Sequence, residues 1–349
     1  MSDLKINNIT DRTGDSGPVI AGVSTVTSTG AFTVPVGPTE MRGGRGRAVM
    51  GGGYVSPAYV NNLNYITIAT TGNASDFGDM TFKSSPPAAL GSATRAIFAG
   101  GELTGPTDMN EKICYITFSS KGGASTFGEL TSDRGYASGL SDSTRGLICG
   151  GAQQVPSPYN YTEKIDFITI ASTGNASEFG ELDKKQGYTG SCSSPTRGLI
   201  MGGFNTGYTP DYYNTIQYVT IQTKGNTKDF GSLNSYNRRP ASLSNTTRGI
   251  AAGGYAHPAY INTIVYVTIP SLGDATDFGD LSTVRGYLGG SASATRGIFS
   301  GGYKSGPAVY ANIIEYITIA STGNALDFGD MTWGGAPSAC SDVHGGLGE

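Results

Sequence analysis

The sequence predicts an all-β fold assembled from one short unit that is repeated six times. Three observations lead to this prediction. Three sequence blocks recur six times in the same order, with a period of about 50 residues. Within the blocks, runs such as Tyr316-Ile317-Thr318-Ile319 show the period-two pattern and β-branched residues of a half-buried strand. Glycine accounts for 54 of the 349 residues and charged residues for only 14%, which is typical of turns and short strands.

The same composition argues against several classes of protein. A net charge of −4 without clustered Lys and Arg argues against a nucleic-acid partner. Disorder is disfavoured because 37% of the chain is hydrophobic. We find no apolar run long enough to insert in a membrane and no signal peptide, so folding in a cytoplasm is expected. No CxxC pair occurs, and we expect four free, small apolar cysteines: Cys114, Cys149, Cys192 and Cys340.

Each repeat contains three blocks at nearly constant spacing. The first block resembles TRGIFAGG, with its arginine at Arg47, Arg95, Arg145, Arg197, Arg248 and Arg296. The second resembles IEYITI, with its aromatic at Tyr65, Tyr115, Phe167, Tyr218, Tyr266 and Tyr316. The third resembles DFGDL, with its phenylalanine at Phe77, Phe127, Phe179, Phe230, Phe278 and Phe328. The aromatic always precedes the phenylalanine by 12 residues, and only the stretch between the Gly-Gly pair and the aromatic varies in length.

Four short antiparallel strands in a unit of this length describe one blade of a β-propeller. Six copies therefore predict six blades, and the absence of a helical period excludes a helical solenoid. Glycine suits such blades because their inner strands crowd around the axis and their connections are tight. We expect a propeller over residues 41–349, with repeats near 47–94, 95–144, 145–196, 197–247, 248–295 and 296–349.

The two ends of the repeat region predict how the ring closes. No full strand precedes Arg47, whereas the C-terminal tail resembles the strand that precedes each later arginine, with His344 near the arginine position. The segment around Gly335–Asp342 is therefore expected to supply the innermost strand of the first blade. A ring closed in this way exposes no sheet edge.

The repeat resembles the kelch repeat over about 300 residues, from Arg42 to Gly346. The double glycines stand at Gly52-Gly53, Gly100-Gly101, Gly150-Gly151, Gly202-Gly203, Gly253-Gly254 and Gly301-Gly302. The chain departs from that family because kelch repeats usually carry a tryptophan shortly after the tyrosine, and this chain has a single Trp. The near-identical repeats and the N-terminal run from Ile9 to Arg47 resemble kelch-like structural proteins of tailed phages of marine cyanobacteria. This resemblance implies a virion protein of a tail, fibre or capsid appendage, assembled in the host cytoplasm.

Residues 1–40 lie outside the repeat and are rich in Ser, Thr, Gly and Val. One interpretation is a partly ordered leader. The other is an attachment arm that binds another virion protein or mediates homo-oligomerisation, because a segment too small for its own core often orders only on a partner.

Catalysis is not expected from the residues present. The only histidines, His257 and His344, lie in no metal-ligand spacing, and neither a GxSxG motif nor a P-loop occurs, so we expect no metal and no cofactor. The six arginines predict structural bonds, either ion pairs or hydrogen bonds to carbonyls, with an anion site on the axis as the alternative. Their candidate acidic partners are Asp79, Glu129, Glu181, Asp280 and Asp330. Ser232 replaces the acid in one repeat, so ion pairing alone cannot explain all six.

Recognition is better supported, because all variable loops are expected on one face of the ring. Tyrosine offers a large amphipathic contact area at a low entropy cost. The predicted contact residues are Tyr59, Tyr159, Tyr161, Tyr208, Tyr212, Tyr213, Tyr260 and Tyr310. Of these, Tyr208, Tyr212 and Tyr213 are the mid-loop residues best placed for the surface. Tyrosines next to Gly-Gly, such as Tyr54, Tyr255 and Tyr303, are equally expected to pack on the blades.

Together with the resemblance to phage structural proteins, these patterns predict a non-enzymatic phage virion protein whose propeller loops contact a host surface or a virion protein. A host-surface ligand would be a glycan or a protein. Two alternatives remain open: a lectin-like carbohydrate-binding propeller outside any virion, and an enzyme that uses the axial funnel of the same scaffold.

Overall fold

A computed structural model describes residues 46–348 of the chain, except residues 56, 105–107, 154–159, 207–210 and 307. The predicted arm at residues 1–40 lies outside the described residues, as do Tyr159 and Tyr208. The division into an arm and a propeller at residue 41 therefore stays a prediction.

The described residues form a ring of six four-stranded antiparallel blades, which confirms the predicted fold. In every blade the order is an inner strand, the strand that begins with the repeat arginine, the strand with the repeat aromatic, and an outer strand with the repeat phenylalanine. In this order, blade 1 contains β32 (Ser338–Ser341), β1 (Arg47–Gly51), β4 (Asn62–Thr67) and β5 (Ser75–Asp79), and blade 2 contains β6 (Ala88–Gly91), β7 (Arg95–Ala99), β8 (Lys112–Thr117) and β9 (Ser125–Glu129). Blade 3 contains β10 (Ser138–Ser141), β11 (Arg145–Cys149), β14 (Lys164–Thr169) and β15 (Ser177–Glu181), and blade 4 contains β16 (Gly190–Ser193), β17 (Arg197–Phe204), β18 (Tyr212–Thr220) and β19 (Lys228–Ser232). Blade 5 contains β20 (Ala241–Ser244), β21 (Arg248–Ala252), β24 (Thr263–Thr268) and β25 (Thr276–Asp280), and blade 6 contains β26 (Gly289–Ala292), β27 (Arg296–Ser300), β30 (Ile313–Thr318) and β31 (Leu326–Asp330).

Short hairpins extend from the connection between the second and third strands of four blades. They pair β2 (Tyr54–Val55) with β3 (Ala58–Tyr59), β12 (Ala152–Gln153) with β13 (Asn160–Tyr161), β22 (Tyr255–Ala256) with β23 (Ala259–Tyr260), and β28 (Tyr303–Ser305) with β29 (Ala308–Tyr310). A single 3-10 turn at Gly345–Leu347 follows the last strand. No helix in the described part of the chain is long and apolar enough to cross a membrane.

The C-terminal strand completes blade 1, as predicted. Strand β32 pairs antiparallel with β1, so that Ser341 lies opposite Ala48. The Asp342 carboxylate then accepts hydrogen bonds from the backbone N–H groups of Gly46 and Arg47, both at 2.9 Å. Asp142 makes the same contact to Arg145 within one continuous stretch of chain, at 2.7 Å. The ends of the ring are therefore joined by the turn that the other blades form locally.

The three recurring blocks meet in one contact within each blade. The repeat aromatic packs edge-on against the repeat phenylalanine, with ring centroids 5.8 Å apart for Tyr65 and Phe77 and 6.3 Å apart for Tyr218 and Phe230. The repeat arginine lies over the same aromatic ring, 4.5 to 5.3 Å from its centroid in all six blades. The constant 12-residue spacing follows, because the aromatic and the phenylalanine lie on paired neighbouring strands.

Each repeat arginine also bonds to the next blade. Its Nη1 donates to a backbone carbonyl just after the third strand of the neighbouring blade, at 2.5 to 3.0 Å. The donor–acceptor pairs are Arg47 and Phe118, Arg95 and Ile170, Arg145 and Ile221, Arg197 and Ile269, Arg248 and Ile319, and Arg296 and Ile68. The carbonyl interpretation is thus confirmed. The alternatives of ion pairs to Asp79 and its equivalents, or of an axial anion site built by these arginines, are wrong for the residues described.

The outer edge of each blade is covered by the next blade. In blade 1 the backbone N–H groups of Gly122 and Ala124 donate to the carbonyls of Phe77 and Asp79, at 2.9 and 2.7 Å. The glycine after each repeat phenylalanine allows this approach: a Cβ on Gly128 would lie 2.2 Å from the carbonyl oxygen of Gly174. The outer strands therefore present no open row of backbone groups.

The space between neighbouring blades is filled by buried apolar side chains. Between blades 1 and 2, for example, Val49, Leu63 and Phe77 pack with Phe98 and Ile116. The four cysteines belong to these layers and are free, as predicted. Burial raises the pKa of the Cys114 thiol to about 11, so that it stays neutral at pH 7.

Deleting the residues after Trp333 removes strand β32 and the Asp342 contacts. We expect the truncated chain to lose its single sharp unfolding transition, because blade 1 would keep three strands and the ring would be open. Chemical denaturation followed by tryptophan fluorescence and circular dichroism measures this. A truncated chain that unfolds as sharply as the full chain would contradict the closure.

Gly128→Ala tests the contact at the outer edge. Gly128 does not lie in the left-handed region, so the expected loss of more than about 2 kcal/mol of unfolding free energy is steric. Gly123→Ala is the matched control, because a Cβ there meets its nearest atom at 3.7 Å and the change should stay within about 0.5 kcal/mol. Equal stability of the two variants in urea denaturation would show that the close approach at Gly128 does not limit the free energy of unfolding.

Candidate functional site

An axial channel runs between the six inner strands. The residue of each inner strand that lines it is small, which six strands around one axis require: Ala89, Gly139, Ser191, Ser242, Gly290 and Ala339. Hydroxyl groups link neighbouring inner strands: Ser141 donates to the carbonyl of Gly91, and Ser193 donates to that of Ser141, both at 2.7 Å.

The C-terminal tail closes the channel at the end where the repeat arginines lie. The His344 side chain contacts the carbonyl of Gly91 through Nε2 at 2.8 Å, and Nδ1 accepts from the N–H of Gly346 at 3.1 Å. His344 is therefore neutral with its proton on Nε2. Gly346 packs so closely that a Cβ would lie 1.8 Å from the carbonyl oxygen of Ser141. These contacts place the tail across this end of the channel.

The other end of the channel, on the face of the variable loops, opens as a funnel of about 600 Å³, including the part open to solvent. The residue nine positions after each repeat phenylalanine is Pro86, Tyr136, Tyr188, Arg239, Tyr287 or Pro337. All of these line the funnel except Tyr287, which packs against Arg239. The four that are not proline have φ between 56° and 65°. Bulky residues seldom adopt this left-handed conformation, and its strain tends to occur at functional sites.

A continuous belt of aromatic rings surrounds the funnel. Neighbouring ring centroids are 4.0 to 6.0 Å apart. We name as the aromatic belt Tyr54, Tyr59, Tyr136, Tyr188, Phe204, Tyr212, Tyr255, Tyr260, Tyr303 and Tyr310. Glu102 joins the two ends, because its carboxylate accepts hydrogen bonds from Tyr59, at 2.6 Å, and from Tyr136. The belt is therefore closed and draws on all six blades.

Four of the predicted contact tyrosines belong to this belt and are partly exposed: Tyr59, Tyr212, Tyr260 and Tyr310. Two others are buried, so their prediction as surface contacts is wrong: Tyr161 and Tyr213 are only 2% and 7% exposed. Tyr213 follows Tyr212 in the long strand β18, where successive side chains point to opposite faces, and the Lys184 ammonium lies 4.8 Å from its ring. Tyr161 packs edge-on against Phe204. Tyr159 and Tyr208 lie outside the described residues.

Three of the belt tyrosines are held in the neutral form at pH 7. Burial raises the pKa of Tyr310 to about 12 and also raises the pKa values of Tyr260 and Tyr212. Neutral phenols supply apolar faces together with hydroxyl groups that both donate and accept hydrogen bonds.

Sequence reasoning missed several residues of this site because it looked for variation in one loop only. Glu102, Tyr136, Tyr188, Arg238 and Arg239 were not singled out. Apart from Glu102, these residues lie in the connection from the outer strand to the next inner strand, which ends on the same face. The signal that could have found them is the mixture of Pro, Tyr and Arg at one position of otherwise similar repeats.

Arg238 lies among the belt rings, with its guanidinium carbon 4.8 Å from the centroids of both Phe204 and Tyr255. Two further arginines beneath this face are fully buried and paired with acids, Arg134 with Asp166 and Arg285 with Glu315. These pairs hold the connections of their blades. Within the described ranges, no group of three or more His, Cys, Asp or Glu residues could hold a metal ion.

A scan against protein-family models found no match for this chain, and a search of curated proteins found no similar sequence.

Closure of the channel by His344 predicts a pH dependence of stability. Burial lowers the pKa of His344 below its usual value, although the Gly91 carbonyl and the charge of Asp142 oppose this. Between the two values the unfolded chain binds a proton that the folded chain does not, so stability is fully present above about pH 6.5 and falls as the pH decreases below it. Urea denaturation between pH 7.5 and 5.5 should show this loss. In His344→Gln the loss should shrink, and an unchanged pH profile would contradict the assignment.

Proposed function

We propose that this protein is a non-enzymatic recognition propeller, a structural component of a phage virion, which binds a host-surface glycan or another protein through its loop face. The observation that carries the recognition role is the closed aromatic belt around the funnel. Rings that hold one another in place lose little conformational freedom when a ligand covers them.

The belt suits a sugar or protein surface for a chemical reason. The exposed parts of its rings offer flat apolar area, and the neutral phenols add hydrogen bonds along the same surface. Pyranose rings present the complementary combination of C–H faces and hydroxyl groups. The inner scaffold needs no ligand, because the blades already satisfy one another through the repeat arginines.

The virion role rests on sequence resemblance. The double glycines after each arginine strand resemble the kelch repeat, and the N-terminal run resembles kelch-like structural proteins of cyanobacterial tailed phages. In this proposal residues 1–40 attach the propeller to another virion protein, and the loop face remains available to a ligand.

A lectin-like propeller outside any virion is the second candidate, because the same belt supports it equally. Mass spectrometry of purified particles distinguishes the two. Peptides of this chain at a stoichiometric level in particles support the virion role, and their absence from particles favours the lectin.

Tyr212→Ala and Tyr310→Ala test the recognition role at two separate parts of the belt, in blades 4 and 6. We expect each variant to lose at least about tenfold in affinity on a glycan array and in binding to host cells, since central aromatic contacts contribute about 2 kcal/mol or more. Tyr236→Ala is the control, because Tyr236 is 52% exposed but lies outside the belt. Folded belt variants that bind as well as the wild type would overturn the proposed use of this face.

A further inference from the structure

We propose that the funnel within the aromatic belt binds a sugar that carries a carboxylate group, and that Arg239 is the residue that binds the carboxylate. The proposal deepens the recognition role given above and rests on it. It concerns one residue that breaks the sixfold pattern of the ring.

Arg239 is the only cation at a position that the six repeats otherwise fill with proline or tyrosine. It lines the funnel, is partly buried, and has a φ of 58°. Its backbone N–H donates to the carbonyl of Tyr188 at 2.6 Å, which holds the strained residue in place. Tyr136, Tyr188 and Tyr287 have the same conformation, so the backbone of Arg239 follows the repeat and only its charge breaks the pattern.

The guanidinium of Arg239 is not used by the fold. It makes no hydrogen bond and no ion pair with any described residue, whereas Arg134 and Arg285 are ion-paired and the six repeat arginines bond to carbonyls. Its contacts are with aromatic rings: the guanidinium carbon of Arg239 lies 4.5 Å from the ring centroid of Tyr287 and 5.9 Å from that of Tyr188. The N–H groups along its edges are therefore available to a ligand.

Glu102 is the acid that acts electrostatically on Arg239, but both of its oxygens accept hydrogen bonds from belt phenols. Burial lowers the pKa of Arg239, and the charge of Glu102 opposes this. An arginine nevertheless stays protonated in proteins.

Several features select a carboxylate-bearing sugar as the ligand class. Arg239 is the guanidinium that lines the funnel, whereas Arg238 lies over the belt rings outside its lining. The one charge of Arg239 matches a single carboxylate better than a doubly charged phosphate. Ring faces on the flanks leave the planar edges of the group free for a bidentate bond, the geometry that arginine forms with carboxylates. The adjoining channel positions Ala89, Gly139 and Ser191 are small and leave space, and the belt residues Tyr136 and Tyr188 lie beside this space for contact with the pyranose.

Isothermal titration calorimetry of the full chain at low ionic strength tests this with D-galacturonate, D-galactose, the methyl ester of galacturonate, and acetate. We expect galacturonate to bind at least about tenfold more tightly than the three other probes. Arg239→Gln should remove that difference, and Arg239→Lys should retain only part of it because it lacks the planar fork. Lys304→Gln, which removes a charge from a loop-face hairpin outside the funnel, should leave it unchanged. Thermal unfolding of each variant verifies the fold.

The outcomes separate this proposal from the broader one. Equal affinity for galacturonate and galactose, or a folded Arg239→Gln variant that binds like the wild type, overturns the role of Arg239. If the belt variants still lose binding on the glycan array, the recognition role stands without it. Acetate binding as tightly as galacturonate overturns the sugar specificity. Absence of binding to any probe and to the array overturns both.

Discussion

The structure depends on one interaction that is made six times, the hydrogen bond from the arginine of one blade to a backbone carbonyl of the next. The arginine lies over the aromatic ring of its own blade, and that ring packs on the phenylalanine of the outer strand. One side chain therefore orders its own blade and fastens the neighbouring blade. Because the acceptor is a backbone carbonyl, the bond survives where Ser232 replaces the acidic residue. The ring is closed by two contacts: Arg296 donates a hydrogen bond to the carbonyl of Ile68, and strand β32 pairs with β1.

The two ends of the ring have different properties. At the arginine end, His344 and the following glycines fill the channel, and the side chains of His344, Ser141 and Ser193 bond to backbone carbonyls of the inner strands. At the loop end, the connections share a backbone bridge after the Gly-Gly pair in five repeats, but their length and many of their residues differ from blade to blade. The aromatic belt, Glu102 and Arg239 all lie there. The proposed recognition roles therefore fall on the part of the molecule where the repeats are free to diverge.

Much of the fold could be predicted because the repeats are near-identical. The spacing of 12 residues between Tyr65 and Phe77, for example, is a contact between paired strands. The tail sequence also indicated the closing strand. The site was less accessible: Tyr212 was correctly expected to be partly exposed, but its neighbour Tyr213 was not recognised as buried. Side-chain alternation along an extended strand separates the two, and the loop offered no pattern from which its register could be inferred.

By itself, the sequence determined the number of blades, the order of strands within a blade, the closing segment and the face on which length variation collects. Periodicity and spacing are local properties of the sequence, and six repetitions allow them to be recognised without a structure. Only the tertiary structure decided which partner each repeat arginine takes, why a glycine follows each repeat phenylalanine, and that Arg239 packs against both Tyr188 and Tyr287. These features depend on contacts between residues about 50 or more positions apart, which exist only once neighbouring blades are packed around the axis.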